Sequence, residues 1–216
     1  MRAGSSRCAA TSCRCPVSAR RRPRSTSTST PRVGPSVFSE RTLEELLDAI
    51  AARTPAPGGG TAAAWAVAVA ASLVEMAANF TEGADDAFGR AGRLRTRALE
   101  LAEVELHAYE PVLEALRLPR DDPERAARVD AARTEASRSP LEIARAGAEL
   151  SELAGELAHM GNPNLSGDAV AAALLAEAAA QAAARLVAIN LTEGSAVEES
   201  SQLAQRALAA RERALG

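Results

Sequence analysis

Apolar positions recur at helical spacing along most of the chain after residue 42. In TLEELLDAIAAR, Leu43, Leu46, Leu47 and Ile50 share one face. Thr42 and Glu45 have the spacing of a capping box, and Thr54–Pro55–Ala56–Pro57 stops that helix. The next stretch, AAAWAVAVAASLVEMAANF, is small or apolar on nearly every side, and it predicts a helix from the glycines at 58–60 to about Phe80. A third helical pattern runs from about Asp85 to Leu118 through Leu94, Ala98, Leu101, Val104 and Leu106. Pro111 is expected to kink it near His107. LPRDDPE is a loop, with Pro123 suited to the first turn of a polar helix over 123–137. Ser139–Pro140 restarts the chain into the amphipathic LEIARAGAELSELAGELAHM. GNPNLSGD breaks it again, AVAAALLAEAAAQAAARLVAINL is a second almost wholly apolar helix, and residues 195–214 form a last surface helix.

Composition sharpens this pattern. Of 216 residues, 47% are apolar but only 2% aromatic, so the core must be built from Ala, Leu, Val and Ile. Alanine has the highest helix propensity, and strand-forming residues are scattered. The fold class is all-α, an up-and-down helical bundle with long Ala-rich central helices. The apolar run at 62–80 approaches the ~20 residues of a membrane span. Nine of its positions are alanine, Glu75 interrupts it, and no second comparable span is evident, so a buried central helix without membrane contact is expected. Small-residue surface exceeds what one small bundle hides easily, which predicts a homodimer.

Charge divides the chain. Residues 1–36 hold eight arginines and no acid, about +8, against a total of −3, which leaves −11 for residues 37–216. An acidic folded part is not expected to bind nucleic acid. Residues 1–36, rich in Arg, Ser, Thr and Pro, read as a disordered tail without the apolar centre of a secretory signal. A transit-like leader or a start codon assigned upstream of the true one, near Val37, explains it, and a cytoplasmic location is expected. Cys8, Cys13 and Cys15 all fall in this tail, and CxxxxCxC without a fourth ligand is a poor zinc signal, so no metal is expected.

Three glycines directly before a long helix ask for a reason. The helix start offers unpaired N–H groups and partial positive charge, and glycine lets a ligand approach the backbone closely. A carboxylate, phosphate or carbonyl oxygen would fit there. The Gly-Lys-Ser/Thr of a P-loop and the strand of a dinucleotide fingerprint are both missing. The structural alternative is a flexible joint with close helix packing.

PAPGGGTAAAWAVAVAASLVEMAANFTEG resembles the signature of the cyclodeaminase/cyclohydrolase family, roughly PxPGGGSxxA followed by a small-residue helix ending MVxNLT. HAYEPVLEALRLP, SPLEIA, GNPNLSGDAVAAALLAEAA and VAINL resemble later family segments in order, over residues 38 to about 200. The resemblance implies a homodimeric helical enzyme. Its substrate would be a tetrahydrofolate one-carbon adduct, handled either as a methenyltetrahydrofolate cyclohydrolase or as a formiminotetrahydrofolate cyclodeaminase. It implies the folate as substrate, no bound cofactor, and proton transfer by carboxylates. Four departures stand out, the first being that the acidic residue before the AF/AY pair is usually Asp and here is Glu105, with His107 between it and Tyr109. GADDAFGR replaces a lysine-rich GKKxY stretch, so Asp85 and Asp86 stand where cations would meet an anionic folate tail. Gly167–Asp168 replaces Ser–Asp, and Leu186 replaces an Asn. The GADDAF substitution and Leu186 favour the competing reading, a non-catalytic small-molecule-binding or dimerisation module on the same scaffold, whereas PAPGGGT and GNPN…GD favour the enzyme.

On that resemblance the candidate catalytic groups are Asp168, Glu105 and His159. The candidate binding groups are Pro57, Gly58, Gly59, Gly60, Thr61, Asn162 and Asn164. Each has a plainer alternative: a helix N-cap for Asp168, a solvated helix face for Glu105, a surface helix position for His107 and His159, and loop geometry for the asparagines. Trp65 and Tyr109 could pack on a flat pterin or benzoyl ring, with core packing as the default expectation. Glu75, if buried, must be paired, protonated or at an interface. The functional reading expects TPAPGGGT and GNPNLSGD to converge on one cleft, within a chain or across two.

Overall fold

The structure, a computed structural model, describes residues 41–216. The basic tail and its cysteines lie outside the described residues. Among the described residues all regular structure is helical: α1 (Leu43–Ala51), α2 (Gly59–Asn79), α3 (Asp85–Glu105), α4 (Glu110–Leu116), α5 (Arg125–Ala136), α6 (Arg138–Met160), α7 (Ser166–Asn190) and α8 (Ser195–Leu215). A 3₁₀ turn, Pro163–Leu165, joins α6 to α7. Thr42 caps α1 with the capping box that its spacing predicts.

The third predicted helix is broken rather than kinked. α3 ends at Glu105, a turn carries Leu106 to Tyr109, and α4 restarts with Pro111 in its first turn. A proline at 111 cannot donate to the His107 carbonyl and its ring crowds that carbonyl. The predicted polar helix begins at Arg125, two residues beyond Pro123. Tyr109, expected in the core, is exposed. α7 is a second helix long and apolar enough to cross a membrane, beside α2, which corrects the expectation of only one such run. The most apolar windows of the two are 56% and 44% buried within the bundle.

α6 is the axis of the bundle and packs on α2, α3, α7 and α8. α2 lies between α3 and α7, and α8 closes on α6 and α7. Helix directions follow from side-chain contacts. Glu75 of α2 accepts from Arg95 of α3, so those two run antiparallel with Gly60 near Glu105. α6 and α8 run parallel: Arg145 pairs with Glu199, Glu152 with Arg206, and His159 with the Arg213 carbonyl. These three links recur every seven residues along one seam, the repeat of helices that meet at a shallow angle.

Small residues set the spacing. A Cβ on Gly147 would lie 2.8 Å from the Ala176 carbonyl oxygen and 3.1 Å from Ala180 Cβ, so α6 and α7 touch backbone to backbone there. Gly155 meets the Ala210 carbonyl oxygen of α8 in the same way, at 3.1 Å. The buried core is correspondingly alanine-rich, with Leu101, Ile143, Leu150, Val67, Val74 and Val187 as its larger fillers. Ser151 is wholly buried and donates to the Ala207 carbonyl at 3.0 Å, which satisfies its hydroxyl. α1 contributes no buried residue, and its Leu43 and Leu47 remain exposed.

Candidate active site

At one end of the bundle, the start of α2, the end of α3 and the start of α6 meet. Gly58 is the N-cap of α2 in an extended conformation without a side-chain cap, so the first amides of the helix rely on groups from elsewhere. The Ala56–Pro57 bond before it is cis. Gly60, the second helical residue, is buried under the side chain of Glu105. A Cβ at Gly60 would collide with the Glu105 carboxylate and lie 3.1 Å from its Cγ. The glycine is therefore required for the acid's seat.

Glu105 is the last residue of α3, and its Oε1 accepts a hydrogen bond from Ser139 Oγ in the first turn of α6. Ser139 is itself buried. Burial pushes the Glu105 carboxyl above the usual glutamate range, and the Ser139 hydrogen bond opposes that shift without cancelling it. Next to Gly60 in the chain, Thr61 is 1% exposed and its hydroxyl makes no hydrogen bond within the protomer. A raised carboxyl, a helix N-terminus and a buried free hydroxyl form a constellation suited to moving a proton next to a polar ligand. The end of α7 completes this region, where Asn190 Nδ2 donates to the Ala136 carbonyl at 3.4 Å.

The remaining candidates lie at the other end. Asp168 sits in the first turn of α7, but Leu165 is the N-cap, so the capping role expected as its plainer alternative is not the one it plays. Asn162 holds the α6–α7 connection: its Oδ1 accepts from the Asn164 amide, its Nδ2 donates to the Phe80 carbonyl, and its own amide donates to Thr81 Oγ1. Asn164 is exposed. His159 is also exposed and directs Nε2 at the Arg213 carbonyl. Thr81 and Phe80 lie just past the C-terminus of α2, whereas Gly60 lies at its start. With 21 residues in α2, the two groups are about 30 Å apart within one chain. The expected convergence of TPAPGGGT and GNPNLSGD inside a single protomer is thus overturned, because α2 is a straight strut between them.

A model of the formiminotransferase-cyclodeaminase family matches residues 42–209. The chain belongs to that family. Its relatives include the methenyltetrahydrofolate cyclohydrolase of Methylorubrum extorquens, 34% identical over 163 residues, which are 69% of this chain and 78% of that protein. The mouse formimidoyltransferase-cyclodeaminase is 30% identical over 71% of this chain, which spans only 31% of the mouse protein. Among solved structures, the formiminotetrahydrofolate cyclodeaminase of Thermotoga maritima superposes with a TM-score of 0.73 at 27% identity, covering 82% of this chain and 94% of that one.

In this family member the acidic departures have a structural role. Asp85 and Asp86 occupy the first turn of α3, where negative charge complements the helix end, and Asp86 lies 3.6 Å from Arg90. Glu75 is satisfied by Arg95 at 2.6 and 3.3 Å, one of the outcomes its position demanded. Ser139 and Asn190 were missed as site residues, although both lie inside segments that carry the family resemblance, SPLEIA and VAINL. Among the described residues no group of three or more His, Cys, Asp or Glu side chains could hold a metal ion.

Proposed function

We propose that this chain is a folate one-carbon enzyme, a methenyltetrahydrofolate cyclohydrolase that uses Glu105 as its proton-transfer group. The observation that carries the reading is the Glu105 carboxyl, half-buried, seated against Gly60 and bonded to Ser139. The 34% identity to a cyclohydrolase, over most of that protein, favours this reaction over cyclodeamination. In the reaction, water adds to the methenyl carbon between the two folate nitrogens. Glu105 takes a proton from the attacking water, leaving a neutral tetrahedral carbon that bears a hydroxyl. The carbon–N5 bond then breaks, N5 receives the proton held by Glu105, and the hydroxyl proton leaves to solvent as the 10-formyl group forms. A carboxyl whose pKa burial raises above the ordinary glutamate range suits both halves of this exchange. In this reading Thr61 and the start of α2 hold an oxygen of the substrate.

The reading includes a homodimer. α2 presents Val69, Met76 and Phe80 on one exposed stripe, and the neighbouring α7 exposes Leu174, Leu175 and Ile189. A second copy laid antiparallel on this face would bury both sets. A twofold axis near the middle of α2 would also bring the glycine turn and Glu105 of one copy toward Asn162, Asn164 and Asp168 of the other. The cleft expected from the sequence would then be shared between chains. A domain spanning 37–216 and a cytoplasmic location belong to the same reading.

The test is spectroscopic. The purified chain is mixed with 5,10-methenyltetrahydrofolate and the loss of its absorbance is followed, with 5-formiminotetrahydrofolate supplied in a parallel reaction. Accelerated loss of the methenyl chromophore is expected. Formation of that chromophore from the formimino compound alone would transfer the assignment to the cyclodeaminase. Inertness toward both would remove the enzyme reading and leave the binding module.

A further inference from the structure

We propose that Ser139 is a positioning residue for catalysis, holding the Glu105 carboxylate against Gly60 through its hydroxyl. The proposal deepens the assignment of Glu105 above and rests on it. Three observations meet at this point. Ser139 is buried in the first turn of α6, two residues past the N-cap Ser137, and its hydroxyl goes across to α3. Gly60 leaves a space that the Glu105 carboxylate fills, so the acid is confined from the α2 side by backbone and from the α6 side by one hydroxyl. Glu105 terminates its helix, and beyond it the chain turns through Leu106 to Tyr109. Its side chain is therefore held from outside α3.

A serine here has a second consequence. Its hydroxyl donates to the ionised carboxylate and favours it, against the burial that disfavours it. The first turns of α2 and α6 meet this carboxylate with Gly60 and Ser139, neither of which titrates. The charged groups near it in sequence are engaged elsewhere or keep other company: Arg138 pairs with Glu135 at 3.1 Å and His107 with Glu110 at 3.0 Å, while Glu103 makes an interaction of its own. Burial raises the Glu105 pKa, and Ser139 is the side chain that holds that rise in check.

Ser139→Ala, Ser139→Cys and Ser139→Thr in the full chain distinguish the hydrogen bond from packing. Cysteine fills the serine's space but donates weakly, whereas threonine retains a hydroxyl. Two readouts are taken: titration of the Glu105 side-chain carboxyl by carbon NMR in the free protein, assigned with Glu105→Gln, and the pH profile of methenyltetrahydrofolate hydrolysis. Alanine and cysteine variants are expected to move the Glu105 titration upward and to lower kcat by about ten- to a hundredfold with KM little changed. Threonine is expected to restore both. An unmoved titration in the alanine and cysteine variants overturns the proposal, as does a moved titration with unchanged kcat. The NMR arm needs no turnover, so a titration shift in the variants beside a wild-type chain that hydrolyses nothing would sink the folate assignment and, with it, the catalytic role claimed for Ser139.

Discussion

Gly60→Ala should separate activity from stability. Alanine at a helical position is favoured over glycine by about 1 kcal/mol through propensity alone. The price at this site is displacement of one carboxylate: the three atoms nearest the added Cβ all belong to the Glu105 side chain, whose end is flexible. Losing the Ser139 bond costs on the order of 1 kcal/mol, and releasing the carboxylate toward water returns part of that. The net change in unfolding free energy is expected to lie within about 1 kcal/mol of zero. Catalysis should fare differently, because a positioned acid–base group contributes about 10²–10⁴-fold. Urea unfolding followed by circular dichroism gives the first quantity, and loss of methenyltetrahydrofolate absorbance gives the second. Wild-type turnover in Gly60→Ala would refute the claim that the seat of Glu105 matters. So would a loss of turnover accompanied by an equal loss of folded protein.

Two further predictions follow from the same geometry. Thr61→Val removes a buried hydroxyl that makes no bond within the protomer, so it should stabilise the chain by about 1 kcal/mol in thermal unfolding while raising KM for the folate about tenfold; a stabilised variant with unchanged KM would assign Thr61 to packing alone. In the shared-cleft dimer, Glu105→Gln and Asp168→Asn are each inactive alone, but mixing the two unfolded chains and refolding them together should restore about a quarter of wild-type activity, since half the dimers are mixed and each of those keeps one intact site. No recovery, or an active Asp168→Asn variant, would rule out that sharing.

Much of the helical order was legible because its punctuation is chemical. Gly58–Gly60, GNPN and the Thr42–Glu45 pair mark helix starts with residues chosen for backbone geometry. The pattern failed at His107–Pro111, where an apolar stripe continues across a true break. A proline is consistent with either a kink or a stop, and the choice falls to packing beyond the local sequence. The site was legible only in part. The glycines and Glu105 were singled out, but their contact depends on α3 running back along α2, which no local pattern encodes. Ser139 was read as the start of a helix because Ser–Pro has that meaning locally. Within one chain, Asp168 and the asparagines stand apart from the glycines for a related reason: sequence motifs carry no record of the 21-residue helix between them.

The most direct test of the account is the pH dependence of methenyltetrahydrofolate hydrolysis by the wild-type chain and Glu105→Gln. Glu105 acts as a base in its ionised form, and burial raises its pKa above the ordinary glutamate value. The wild-type rate should therefore fall as pH drops through that raised pKa, at a pH higher than an exposed carboxylate would give. Glu105→Gln should run at least about 10²-fold slower and lose this limb. A glutamine variant with the wild-type rate and the same limb would show that the proton moves through another group.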